Sequence, residues 1–253
     1  MDFIRVEQTG PVKTITMIRG EKRNALNLQM LDEMTAAFRA EPAPADRVIV
    51  LRAEGPVFCS GIDLAERLEK PANPGESPIE VMLHAIEMNP LPVVGVVQGD
   101  AIAGGNELAL HCDFVVASTS ARFGMSLAQI GLAPTWFLTK KLMEVAGPVA
   151  AREILLLGDP LPSTRMYELG IIGRVAHPYD LQKEAQKVID RLAANAPLSL
   201  RAMKSMMVRQ MAFRDHIEHS EQDRLVEAAR HSTDSKEGIR ARLEKRAADF
   251  KGE

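Results

Sequence analysis

Only two cysteines, Cys59 and Cys112, occur in 253 residues, and they form neither a CxxC pair nor a zinc-ligand spacing. That removes a disulfide scaffold and a thiolate metal centre, and leaves free thiols suited to a reducing compartment. Aromatic residues make up 4% of the chain, too few for the stacking platforms that hold single-stranded nucleic acid. No charge of one sign dominates. The formal net charge is −3, so no basic field points to nucleic acid or to anionic membrane. No apolar run reaches the roughly 20 residues of a membrane span. The amino-terminal "MDFIRVEQTG" scatters charge among its apolar residues, unlike the core of a signal peptide. A soluble cytoplasmic protein is the expectation. The glycine-rich phosphate loops GxGxxG and GxxxxGK[ST] are also missing, which excludes the nucleotide-binding folds that carry them.

What is present is 46% hydrophobic residue content, enough to bury a sizeable core. The first half reads as short strands. "FIRVEQ" and "VKTITMI" flank the turn Thr9-Gly10-Pro11 as a hairpin. Asn27 is placed to cap a helix through "LQMLDEMTAAFRA". "RVIVLRAEG" reads as a buried strand, and "VVGVVQGD" and "DFVVAS" as two more. The stretch "KPANPGESP", 70–78, is a flexible loop by composition, followed by a helix "IEVMLHAIEM". From about Trp136 the pattern is helical throughout, with apolar residues at three-to-four spacing in 183–197, 198–212, 215–232 and 235–250. The last of these keeps Ile239, Leu243 and Phe250 for packing, and Met203, Met206, Met207 and Met211 read as a helix core face.

Two strand-to-turn-to-helix junctions stand out. One is "GPVFCSGIDLAE" (55–66); the other lies in "GDAIAGGNELALHCD" (99–113). At each, backbone N–H groups at a helix start lack helical partners. Converging on one oxygen, two of them form an oxyanion hole, with a helix dipole behind. Taken singly, each reads more readily as a tight turn that uses glycine for positive φ; the pairing of the two, in this order, favours the oxyanion hole. Behind the second junction Glu107 runs directly into Leu108, Ala109 and Leu110. A carboxylate in such company is desolvated, which lifts its pKa toward neutrality and suits it to proton transfer. An amphipathic helix showing its acid to water is the alternative.

"FCSGIDL" and "QGDAIAGGNELALHCDFVVAS", in this order and spacing, resemble the enoyl-CoA hydratase/isomerase, or crotonase, family. "EKRNALN" (21–27), "ARFGMSLAQIGLAP" (121–134) and the carboxy-terminal "SKEGIRARLEKRAADFKG" extend the resemblance along the whole chain. It implies an α/β fold, a spiral of ββα units over residues 1–190 holding an acyl-CoA site. A helical trimerisation region over 191–253 would complete it, in a homotrimer or dimer of trimers. It also implies that the N–H groups of Ile62 and Gly104 grip a thioester oxygen, with Glu107 as acid and base. Lys22 and Arg23 would meet coenzyme A phosphates, and Ala25, Ser60, Gly61 and Asp63 would line the path of the adenine and pantetheine. Lys245 would reach phosphate across a subunit boundary. No cofactor is implied beyond the coenzyme A of the substrate, and no metal.

The chain departs from the pattern at one informative position. Hydratases of the family carry a second glutamate in the segment that here reads "FGMSLAQIGLAP", and its place is taken by Leu127. The related isomerases keep an acid there too. Thr135 lies near the aspartate position of dehalogenases and dienoyl-CoA isomerases, and Ile62 replaces the histidine of methylmalonyl-CoA decarboxylases, so those activities lose a key residue. Enoyl-CoA isomerisation or hydration with Glu107 alone is the reading that remains; a catalytically silent acyl-CoA-binding protein is the other. Trp136 and Phe137 are candidates for the acyl pocket or for core packing. His84, His111 and Cys59 read as packing residues, and the His216/His219/Glu221 group as a surface helix rather than a metal site.

Overall fold

The structure, a computed structural model, describes residues 1–69 and 77–252. Most of the expected loop at 70–78 lies outside the described residues. The hairpin forms as read: β1 (Ile4–Thr9) pairs antiparallel with β2 (Val12–Met17), Thr9 opposite Val12. Next come β3 (Val48–Ala53), β4 (Val93–Val97), β5 (Ala101–Ile102), β6 (Phe114–Ser118), β7 (Arg122–Gly124), β8 (Leu161–Pro162) and β9 (Arg174–Ala176). The main sheet has the order β1-β2-β3-β4-β6-β9, parallel from β2 onward. Each strand thus joins the edge left by the one before it, and the chain climbs as a spiral.

Between main-sheet strands the chain detours through a second, smaller layer. There β5, β7 and β8 pair, and isolated bridges join Leu26 to Ile62 and Cys59 to Ala101. Helices close the turns: α1 (Leu28–Arg39), α2 (Leu64–Glu69), α3 (Pro78–Met88), α4 (Gly104–Leu110) and α5 (Trp136–Arg152). The Asn27 side chain caps α1 by accepting from the Met30 N–H at 3.0 Å. After α5 come α6 (Ser163–Glu168) and α7 (Leu181–Ala194). Both sheet faces are covered, which is why "VIVL" shows no alternation: Ile49 and Leu51 enter the large core, while Val48 and Val50 pack against Leu181, Ala185 and Ile189 of α7.

Three expectations for the carboxy-terminal half change. β8 and β9 interrupt the helical region; strands of two or three residues carry no readable period. The helices there are α8 (Pro197–Met211), α9 (Ser220–His231) and α10 (Thr233–Glu244). Residues 215–219 precede α9 rather than belonging to it, and α10 stops at Glu244 because Lys245 turns left-handed at φ 56°. Phe250 lies beyond that cap and is exposed. Finally, Met203, Met206 and Met207 are 54%, 60% and 61% exposed, so the methionine stripe is not a core face of this chain. The buried residue of α8 is Lys204, whose Nζ donates to Asp113 Oδ2 at 2.7 Å and to the Leu91 carbonyl at 3.1 Å. A polar anchor holds α8 while its apolar side faces outward. No described helix is long and apolar enough to cross a membrane.

Candidate active site

The first junction is fixed by Asn24. It is buried at φ 52°, and its Nδ2 donates to the carbonyls of Glu54 and Val57 at 2.8 and 2.9 Å while its Oδ1 accepts from the Arg19 N–H at 3.0 Å. The loop so held runs beside 61–63: Leu26 N–H donates to Gly61 O at 2.8 Å, and Asp63 N–H to Leu26 O at 2.9 Å. Asp63 Oδ1 accepts from the N–H groups of Ala65 and Glu66, starting α2, and Oδ2 pairs with Arg19 at 2.8 Å. Burial pushes this carboxyl up, but Arg19 and the capping N–H groups outweigh it and hold its pKa below the ordinary value. Between these bonded neighbours, the Ile62 N–H donates to no backbone oxygen among the described residues.

The second junction is strained. Ala103 sits at φ 50° and ψ −117°, a region L-residues rarely enter, held there by its N–H donating to Gly124 O at 2.7 Å. That conformation opens α4 at Gly104, whose N–H likewise has no backbone acceptor among the described residues. The two junctions touch: a Cβ placed on Gly61, itself at φ 93°, would lie 3.2 Å from Gly104 N. Only glycine serves there.

Both junctions open on a cavity of about 650 Å³. Its walls include Ile62, Gly104 and Glu107, together with Lys22, Arg23, Ala25, Ser60 and Asp63. Gly61 lies between two of these lining residues without lining the cavity itself, and Lys245 caps α10 away from it. Glu107 is 1% exposed, and neither carboxylate oxygen has a hydrogen-bond partner among the described residues. Burial drives its pKa up to about 8; Lys141 opposes the rise and Glu80 adds to it. The alternative of an acid shown to water is thereby removed.

The profile of the enoyl-CoA hydratase/isomerase family matches residues 7–253. The chain belongs to this family. An enoyl-CoA hydratase of Mycobacterium tuberculosis is 31% identical over 97% of this chain and 95% of its own. An enoyl-CoA isomerase/hydratase of Mycosarcoma maydis is 33% identical over 78% of this chain and 77% of its own. Among solved structures, a methylmalonyl-CoA decarboxylase complex superposes with a TM-score of 0.91, at 24% identity, over 100% of this chain and 99% of that one. An enoyl-CoA hydratase of Mycobacterium avium subsp. paratuberculosis gives 0.85 at 26% identity, over 98% of both chains. The fold is the crotonase spiral.

Against that family background, Leu127 lies in the cavity wall, at the start of the 3-10 turn Ala128–Ile130. The leucine expected at the place of the second glutamate thus lines the cavity. Several lining residues escaped sequence reasoning: Arg67, Arg122, Arg230 and Arg242, and the acid Glu80 of α3. Arg230 and Arg242 come from α9 and α10, which fold back over the cavity of their own chain. No local motif marks any of these residues. Trp136 and Phe137, in contrast, do not line the cavity. Trp136 stacks on His219 at 4.6 Å, and Phe137 stacks on His111 at 5.3 Å with His84 edge-on at 6.3 Å. Thr135 caps α5 by accepting from the Leu138 N–H.

Behind Glu107 lies a second polar layer. His111 Nδ1–H donates to the Glu107 carbonyl at 2.8 Å, and burial, then Lys141, push its pKa down to about 4, so the ring is neutral. Lys141 pairs with Glu87. Cys59 is buried with its thiol pushed up to about 12, which rules it out as a nucleophile.

The Glu107 shift has a consequence for stability. Its folded pKa lies above the unfolded value, so between about pH 4.5 and 8 the folded state keeps a proton that the unfolded chain has released. Stability therefore falls as pH rises through that window. E107Q should remove this fall and be more stable than the parent at pH 8 by on the order of 3 kcal/mol, while the two differ little at pH 4. Denaturant midpoints at the two pH values measure it; parallel pH dependences would refute the assignment.

Proposed function

We propose that this chain is an acyl-CoA enzyme that stabilises a thioester enolate between the Ile62 and Gly104 N–H groups, with Glu107 moving the proton. The observation that carries the reading is the placement, on one cavity, of a fully buried acid and two N–H groups, the acid without hydrogen-bond partners and the N–H groups without a backbone acceptor among the described residues. A thioester carbonyl seated on those N–H groups gains negative charge as the α-carbon loses a proton or the β-carbon gains a nucleophile. Each fixed donor aimed at that charge is worth roughly 3 kcal/mol in comparable sites. Glu107, one turn into α4, is protonated near neutrality and exchanges its proton with the α-carbon. Double-bond migration or hydration of an enoyl-CoA follows, and neither needs a cofactor beyond the substrate's own coenzyme A.

Lys22, Arg23, Arg230 and Arg242 meet the phosphates from within the same chain, with Ala25, Ser60, Gly61 and Asp63 shaping the path toward the thioester. Lys245, outside the lining, is left for a neighbour's coenzyme A. Assembly as a homotrimer or dimer of trimers would cover the methionines of α8. The relatives named as hydratases and as an isomerase/hydratase support both reactions.

Purified protein given 2-enoyl-CoA and 3-enoyl-CoA thioesters should hydrate the first or move the double bond of the second, followed separately. Saturable acyl-CoA binding without turnover of either would leave a silent acyl-CoA-binding protein in its place.

A further inference from the structure

Of the acids that line the cavity, Asp63 pairs with Arg19, Asp100 pairs with Arg122 and Glu107 has its role above; Glu80 has no role yet. Glu80 lies one residue beyond Ile79, and Ile79 abuts the start of α4: a Cβ placed on Gly104 would lie 2.8 Å from its Cδ1. Ser77, Ile79 and Glu80 all line the cavity that holds Ile62, Gly104 and Glu107. The beginning of α3 therefore forms a wall of the site, and Glu80 lines the same cavity as Glu107. The two acids interact, the charge of Glu80 opposing ionisation of Glu107.

We propose that Glu80 is the second acid–base residue of this site, in the role that leucine at 127 leaves open, and that the pair equips the chain to add water across an enoyl-CoA double bond. This rests on the acyl-CoA reading above. Double-bond migration needs one carboxylate; hydration is helped by a second that activates water. Two like-charged groups in one cavity separate their tasks, one keeping its proton and the other carrying the charge. Glu107, fully buried, keeps the proton. Glu80, half-buried at the start of α3, is the one assigned to water.

The step balances as follows. Glu80 takes a proton from water while the water oxygen bonds to the β-carbon. The pair of the double bond moves toward the thioester, and the resulting enolate oxygen rests on the Ile62 and Gly104 N–H groups. The enolate then takes the Glu107 proton at its α-carbon. After the 3-hydroxyacyl product leaves, the proton on Glu80 passes through solvent to Glu107, and the site is reset.

The test compares the parent, E80Q, E80D and E107Q on two readouts: hydration of 2-butenoyl-CoA, and exchange of the α-proton of butanoyl-CoA in deuterium oxide. Exchange uses Glu107 and the N–H groups but activates no water. E80Q should lose hydration by roughly 10²–10³-fold in kcat, with a much smaller loss of exchange, and E80D should recover part of the hydration. Removing the Glu80 charge should also move the rising limb of the exchange pH profile, where Glu107 loses its proton and becomes the base, to lower pH. E80Q hydrating at the parent rate, or losing both readouts equally while folded, overturns the role of Glu80. A parent that exchanges but does not hydrate overturns it as well. E107Q that still exchanges, or a parent inert in both assays, overturns the underlying reading instead.

Discussion

E107Q should lower turnover of whichever enoyl-CoA thioester the protein accepts by on the order of 10³-fold, with little change in acyl-CoA affinity. Glutamine keeps the shape of the side chain but neither accepts nor releases a proton in the working pH range. The proposed phosphate contacts at Lys22, Arg23, Arg230 and Arg242 are separate side chains that the substitution leaves unchanged, so the loss falls on kcat and leaves KM near its original value. The substitution should also abolish the limb of the pH–rate profile that reports the Glu107 group near pH 8. Together with the stability gain expected for the same variant, this would mark Glu107 as a group kept at a cost to folding for the sake of chemistry. Full turnover by a folded E107Q protein would remove it from the mechanism.

G238L should cost about 2 kcal/mol of stability through overpacking and weaken acyl-CoA binding by roughly 10-fold, the loss of one charge-assisted contact from Arg242. A Cβ on Gly238 would meet the Ile130 backbone at 2.4 Å, so no side chain fits without lifting α10 from the 3-10 turn Ala128–Ile130. Leucine is a better helix former than glycine; the helix itself is favoured and only its docking suffers. Docking matters because Arg242 and Leu243 of α10 line the cavity beside Leu127, Gln129 and Ile130, with Arg242 donating to Gln129 Oε1 at 3.4 Å. Calorimetric titration with acetyl-CoA checks it. Unchanged affinity in a folded variant would show that α10 contributes nothing to the site.

Much of this was readable from local sequence, and the exceptions are physical. The junction at Gly61-Ile62 and the one at Gly104 were visible because helix starts and glycine turns are matters of neighbours in sequence. Glu107 was visible because the apolar residues that desolvate it follow it directly. Glu80 was not. It stands between apolar residues in an amphipathic stretch, and only the packing of α3 against the start of α4 brings it to the cavity. Arg230 and Arg242 look like any basic residues on a solvated helix until α9 and α10 fold back. The methionines of α8 misled because periodicity reports an apolar face but not what covers it, and here Lys204 and Asp113 hold the helix instead.

By itself, the sequence determined the family, the spiral of short strands and helices, the two glycine-marked helix starts, and the identity of the buried acid. Each rests on residues within a turn or two of one another, where propensity and spacing act directly. The tertiary structure decided the electrostatics. Whether Glu107 holds its proton depends on burial and on Lys141 and Glu80 from two other helices, and whether the position of Leu127 matters depends on which wall it joins. Coulomb interaction and desolvation are set by distance in space, and distance along the chain does not encode it.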